Sequence, residues 1–313
     1  MPNPLAVHSD AEPRLGAVLA ALERIVLGKP QEIRLAVVCL IAGGHLLIED
    51  IPGVGKTTLA QALARVLGLA FRRIQFTSDL LPADILGATV FEREQERFVF
   101  RPGPLFTQVV LADEINRATP RTQSALLEAM QEGQVSVEGE ARALVRPFFV
   151  IATQNPQDQI GTYPLPESQL DRFAMRLALG YPEAAAERAL YQAEDRRNLL
   201  ERLQPVLDAE EVIRLQQAAA GVTTAPALLD YLQALVAWTR RAGRCEHGLS
   251  PRAGRVILAL ARAHALLAGR AVAVPEDIQA VVPAAVAHRL QRHGTSGGGA
   301  DLAREVLEAV PIP

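Results

Sequence analysis

The stretch Ile48-Glu49-Asp50-Ile51-Pro52-Gly53-Val54-Gly55-Lys56-Thr57-Thr58 concentrates residues that could handle phosphate. It follows a short apolar run, Leu46 to Ile48, and precedes a helical pattern. Glycines lack a Cβ, so backbone N–H groups can close around phosphate oxygens. The helix that follows adds the partial positive charge of its N-terminus. In this layout Lys56 sits on the β- and γ-phosphates of a nucleoside triphosphate, and the Thr57 hydroxyl binds Mg²⁺. Pro52, Gly53, Val54, Gly55 and Thr58 complete the expected phosphate loop. One position departs from G-x-x-x-x-G-K-[ST]: Asp50 stands where the pattern has its first glycine.

Other residues could complete such a site. The run Val109-Val110-Leu111-Ala112-Asp113-Glu114 ends a hydrophobic strand in two carboxylates, which is costly unless they serve a purpose. Asp113 could help hold Mg²⁺ and Glu114 could polarise an attacking water; taken alone, the pair could also close a polar turn. Asn155, after Val150 to Gln154, could reach a γ-phosphate or the attacking water, or could simply form a turn before Pro156. Arg172, in Leu170-Asp171-Arg172-Phe173, could stabilise transition-state charge on a neighbouring subunit's nucleotide, or pair with Asp171 at the surface. Arg252 opens a helix after Ser250-Pro251 and could fold over the phosphates of its own chain, or stand as a solvated first-turn arginine. A cation in a first helical turn is mildly unfavourable against the dipole.

These residues need a frame. Apolar strand runs are read at His45 to Glu49, Phe71 to Phe76, Val109 to Ala112, Phe148 to Thr153 and Phe173 to Leu179. A helix after the phosphate loop puts Leu59, Ala62, Leu63, Val66 and Leu67 on one face, with Gly68 as its stop. Thr119-Pro120 opens a helix through Glu132. Strands alternating with helices predict a five-stranded parallel sheet covered on both faces, with ligands at the strands' carboxyl ends. Ahead of this core, helices are expected at about 13–26 and 31–42, with residues 1–12 outside them. Val90 to Phe100 reads as two short strands around a charged tip, Glu92 to Arg97. After Pro182 no strand-like run remains and helical periodicity dominates; the clearest helix opens at Ser250-Pro251 and closes at Gly269. Gly294 to Ala300 is a glycine-rich connection to a short last helix from Asp301. The expected division is therefore an α/β nucleotide-binding domain at 1–182 and an all-helical lid at 183–313.

Composition sets the outer bounds. The chain has 313 residues, 49% of them hydrophobic and 21% charged, which is a globular profile. A net charge of −3 argues against a general nucleic-acid footprint, which needs a basic domain or face. Cys39 and Cys245 are the only cysteines, and Cys245 with His247 is too small a set for a zinc site. No apolar run reaches membrane-spanning length and Met1 to Pro13 has no signal-like core, so a cytoplasmic protein is expected.

Taken together, the motifs resemble the AAA+ ATPases, and within them the MoxR family. Beyond the phosphate loop, the resemblance rests on Leu111 to Ala118, Gln123 to Met130, Ala152 to Pro156 and Gly161 to Glu167. Leu170 to Phe173, Ser250 to Ala253 and His288-Arg289 add to it. The resemblance runs from about Val26 to Pro313. It implies ATP and Mg²⁺ as ligands, with Lys56 and Thr57 as Walker A and Asp113 and Glu114 as Walker B, Glu114 being catalytic. It further implies that Asn155 is sensor 1, Arg172 an arginine finger, and Arg252 sensor 2. Val90 to Phe100 is similar to the helix-2 insert of this clade. Gly28 would lie near the adenine, although Lys29 stands where relatives usually carry Gln. The family's members are understood as rings, commonly hexameric, that mature or activate protein complexes, often with a von Willebrand factor A domain partner. Magnesium-chelatase-like subunits and nucleic-acid-linked motors share the same ATPase core. The loop Gly-Ala-Phe-Thr-Gly-Ala of transcription activators is absent.

Overall fold

The structure is a computed structural model that describes residues 4–94, 96–155, 161–192, 196–241, 243, 245–293 and 298–312. Side chains are described from residue 11 onward, and those of 196–198 are not. Gln95, Pro156 and Gly294 to Gly297, which the sequence reading includes, lie outside the described residues.

Five strands form one parallel sheet: β1 (Leu46–Glu49), β2 (Phe71–Gln75), β3 (Val109–Asp113), β4 (Phe149–Gln154) and β5 (Met175–Leu177). Their order across the sheet is β2-β3-β4-β1-β5, so β1 lies next to the latest of the inner strands. The register pairs Gln75 with Asp113, Ala112 with Ala152, and Glu49 with Gln154, which brings the polar strand tips together at one edge. β3 and β4 are buried along their full lengths, as expected for strands covered on both faces.

Alternation along the strands divides the core. Leu46, Ile48, Val109, Leu111 and Ile151 face the cluster that includes the helices Pro4–Glu23, Pro30–Ile41 and Lys56–Val66. Leu47, Val110, Ala112, Val150 and Ala152 face the helix Pro120–Glu132. The helix Lys56–Val66 buries Leu59, Ala62, Leu63 and Val66 completely, at roughly 1.5–3 kcal/mol for each large aliphatic side chain. It ends at Gly68, φ +63°, the left-handed stop that glycine makes cheaply.

The C-terminal half is helical, and its helix Pro251–Leu267 packs against both N-terminal helices. Ser250 Oγ accepts the Ala253 N–H at 3.1 Å, forming the expected cap, and Gly269 takes φ +70° beyond the end. Three local expectations are corrected. The first helix begins at Pro4, not near residue 13, and Ala11 and Leu15 on it are already buried. Past Pro182, Thr223–Thr224 and Val272–Ala273 pair as a short parallel ladder. A second hairpin, Gln134–Val137 with Glu140–Ala143, follows the helix Pro120–Glu132. The expected hairpin is present as Gly87–Glu92 and Arg97–Pro102.

Candidate active site

Three sequence-distant segments meet at the carboxyl ends of β1, β3 and β4. A cleft of about 350 Å³ is lined by Pro52, Gly53, Gly55, Lys56, Thr57, Thr58, Asp113, Glu114 and Asn155. Gly53 and Gly55 adopt φ +85° and +95°, and a Cβ at either would meet nothing within 4 Å. Glycine is required there by backbone conformation, and the space above the loop stays open for an anion. Val54 turns the other way, onto the first core cluster.

Lys56 is the first residue of its helix, and only 8% of it is exposed. Its Nζ donates to Asp50 O at 2.6 Å and to Asn155 Oδ1 at 3.2 Å. Burial holds the ammonium below its ordinary value, and the charges of Asp50, Asp113 and Glu114 pull it back up. A buried cation held by neutral acceptors suits an incoming phosphate.

Asn155 bridges the cleft, because its Nδ2 donates to Glu114 Oε1 at 3.0 Å. It is 6% exposed, so it spans the two charged groups and does not serve as a surface turn residue. Glu114 itself has φ +56°, an uncommon conformation for a non-glycine residue and one that gathers at functional sites. Its N–H donates to Thr153 Oγ1 at 2.9 Å, and Oε2 accepts from Gln75 Nε2 at 3.1 Å and Arg117 Nη1 at 2.9 Å.

Asp113 accepts from Thr153 Oγ1 on one oxygen. Its other oxygen accepts from Arg73, Nε at 3.0 Å and Nη2 at 2.6 Å. An ionised carboxylate offers about four acceptor positions, so capacity remains for a cation. Thr57 and Asp113 are hard oxygen donors of the kind that Mg²⁺ takes. Arg73, Gln75, Arg117 and Thr153 were not singled out from sequence. The polar positions within the strand Phe71–Gln75 were the available signal for the first two.

Asp50 carries a role that a glycine could not. Its Oδ1 accepts from Ile51 N at 2.8 Å and its Oδ2 from Gly180 N at 2.6 Å, tying the phosphate loop to the chain after β5. Gly28, φ +70°, packs against Ala186, and Lys29 Nζ donates to Tyr181 O at 2.9 Å. These residues sit at the junction with the helical half, outside the cleft lining.

Arg172 and Arg252 lie elsewhere. They share a recess with Gly43, Gly44, His45 and Met130, at the amino end of β1. The expectation that Arg252 covers the phosphates of its own chain is therefore not met. It stands at the far end of a four-residue strand, about 13 Å of rise away. Arg172 does not pair with Asp171, whose carboxylate is taken by Arg289. Arg172 Nη1 donates to Leu127 O at 2.6 Å, and its Nε is buried without an acceptor among the described residues. His45 in the same recess accepts from Val150 N at Nδ1 (3.0 Å), and its Nε2 donates to Met130 O (3.1 Å).

The AAA pattern, the ATPase family associated with various cellular activities, matches residues 45–175, and the AAA lid domain matches 237–308. The chain is 40% identical to the chaperone MoxR1 of Mycobacterium tuberculosis over 279 residues, covering 86% of this chain and 73% of that one. This chain is a MoxR-family AAA+ ATPase. It is 32% identical to the protein MoxR of Methylorubrum extorquens, with 93% of each covered. A solved structure from Cytophaga hutchinsonii, a candidate ATPase, superimposes with a TM-score of 0.90 at 33% identity, over 98% of this chain and 97% of that one. The MoxR-family fold thus comprises the sheet, the phosphate loop and the helical lid together. Among the described residues no helix is long and apolar enough to cross a membrane, and no group of three or more His, Cys, Asp or Glu could hold a metal.

Proposed function

We propose that the chain hydrolyses ATP and uses the cycle to remodel or activate a protein complex from within a ring. The observation that carries the chemistry is the convergence of Lys56, Glu114 and Asn155 in one cleft above the glycine loop. In this reading the loop N–H groups and Lys56 bind the phosphates, and Asn155 fixes the distance between Lys56 and Glu114. Glu114 accepts the proton of the attacking water. Thr57 and Asp113 would hold Mg²⁺, which when bound neutralises phosphate charge. Gly28 and the chain beside it would border the base, at the junction of a nucleotide-binding domain, 1–182, with a lid, 183–313.

The geometry supports a ring. Arg172 and Arg252 face away from their own cleft, so both would serve a neighbour's nucleotide. A head-to-tail contact of that kind closes into a ring, hexameric by analogy with the family. The relatives named MoxR support a chaperone role, with a von Willebrand factor A domain protein as the expected partner and a cytoplasmic location. A nucleic-acid motor or a chelatase-type subunit is the competing reading.

A pull-down with Glu114→Gln held in ATP tests the proposal. Enrichment of one von Willebrand factor A domain protein or one enzyme complex is expected. Recovery of nucleic-acid machinery, or of nothing above an ATP-free control, overturns the remodelling role.

A further inference from the structure

The segment carrying Arg172 is gripped from both sides by one side chain of the helical half. Arg289 lies just past the helix Pro275–Val286, and its side chain is only 4% exposed. Its Nε donates to Asp171 Oδ1 at 2.6 Å and its Nη2 to Asp171 O at 3.1 Å. Nη2 also donates to Phe173 O at 2.7 Å, and Nη1 to Ala174 O at 3.2 Å. His288 Nε2 adds a second bond to Phe173 O, at 3.0 Å. The remaining contact, Nη1 to Ala285 O, returns to the helix that precedes Arg289. The acceptors on the core therefore sit at 171, 173 and 174, immediately around Arg172.

A guanidinium is suited to this task. Its five donors are fixed in one plane, so once several are engaged it has a single orientation, which a lysine ammonium would not impose. Burial raises the cost of leaving any of them unmade. The grip orders the backbone of Asp171 to Ala174, while Arg172 itself is anchored by one nitrogen on Leu127 O. Leu127 belongs to the helix Pro120–Glu132, which follows Asp113 and Glu114 in the chain. Arg172 is thus set between the lid and the element that continues from the carboxylates of the cleft.

We propose that Arg289, with His288, is a positioning residue for Arg172: the lid fixes where the arginine meets the neighbouring nucleotide. This rests on the reading that Arg172 acts between subunits. Displacing a catalytic group by about 1 Å can cost on the order of a hundredfold in rate, so a loosened grip should be visible in turnover and not in nucleotide affinity.

The experiment compares full-length Arg172→Ala, Arg289→Lys, Asp171→Asn and the double variant Arg172→Ala/Arg289→Lys. ATP turnover is measured beside the affinity of a fluorescent ATP analogue. Arg289→Lys should lose about tenfold to a hundredfold in turnover with affinity unchanged within about twofold. The double variant should be no slower than Arg172→Ala alone, because the two changes act through one group. Asp171→Asn keeps the backbone acceptors and stands in if Arg289→Lys fails to fold; it should show a smaller loss of the same kind. In mixed rings, subunits carrying Glu114→Gln and Arg289→Lys should slow wild-type neighbours more than Glu114→Gln alone. Full turnover in Arg172→Ala would overturn the intersubunit reading and the positioning role with it. Lost turnover in Arg172→Ala, with full turnover in Arg289→Lys and Asp171→Asn, overturns the positioning role alone, as do losses that multiply in the double variant.

Discussion

At the carboxyl end of the sheet, Lys56, Asp113 and Glu114 each find partners within the chain: Asn155, Arg73, Thr153, Gln75 and Arg117. At the amino end, Arg172 leaves its Nε unmatched and Arg252 has no hydrogen bond or ion pair among the described residues. Both ends are rich in charge, but only one is balanced internally. A balanced cluster holds its own geometry before a ligand arrives. Cations with donors left over, as Arg172 and Arg252 have, keep capacity for an anion from elsewhere, which is what the proposed intersubunit role needs.

The sharpest break of that contrast is Arg172→Ala. Turnover should fall about a thousandfold, the lower range for such an arginine, while ATP affinity holds. Steady-state rates and analogue titration decide it, and a loss of affinity instead would place Arg172 on its own chain's nucleotide. At the other end, Glu114→Gln should bind ATP and turn over about a hundredfold slower or worse. Single-turnover hydrolysis with near-normal rates would remove Glu114 from the chemistry.

The amino end should also carry an acid sensitivity of folding. Burial, with the Arg252 charge, holds His45 down at about 4, although its bond to Met130 O pulls the other way. Both ring nitrogens are committed, and protonating Nδ1 would oppose the Val150 N–H. The unfolded chain binds that proton near pH 6.5, so the fold is fully supported above 6.5 and loses stability as pH falls toward 4. The loss is about 3 kcal/mol. Urea midpoints across that range should show the slope, and His45→Gln should make it shallower, leaving the part contributed by His288, which burial also holds well below its ordinary value.

Arg252→Ala should cost less, about tenfold in turnover, the order of one charged hydrogen bond. An effect equal to that of Arg172→Ala would mean that the two cations are not separable. Smallest of all, Phe98→Ser on the outer hairpin, 73% exposed beside Phe91, should shift stability by less than about 0.5 kcal/mol. A larger change in thermal melting would show that the hairpin is held by more than its own strands.

How much of this was legible in sequence depends on range. The five strands and their polar tips were readable because apolar runs and the residues ending them are local signals. The hairpin Gln134–Val137 with Glu140–Ala143 was missed although Val135 and Val137 alternate and Gly139 marks the turn, because it follows directly on a helix. The start of the first helix is hard to read, since it carries proline and no strong apolar face. The end of the sheet that Arg252 reaches is not legible, because its first-turn position says which element holds it and not where that element packs. The Arg289–Asp171 pair joins residues 118 positions apart, beyond any pattern of spacing.

Asp50 replaces a glycine valued for freedom with a carboxylate that bolts the phosphate loop to Gly180. The consequence is kinetic. A loop pinned at its first residue opens less often, so Ile51 and Gly180 amides should exchange slowly with solvent, and a bound nucleotide should have a long residence time. Reverting Asp50 to the consensus glycine would restore the familiar motif while making the loop a looser gate.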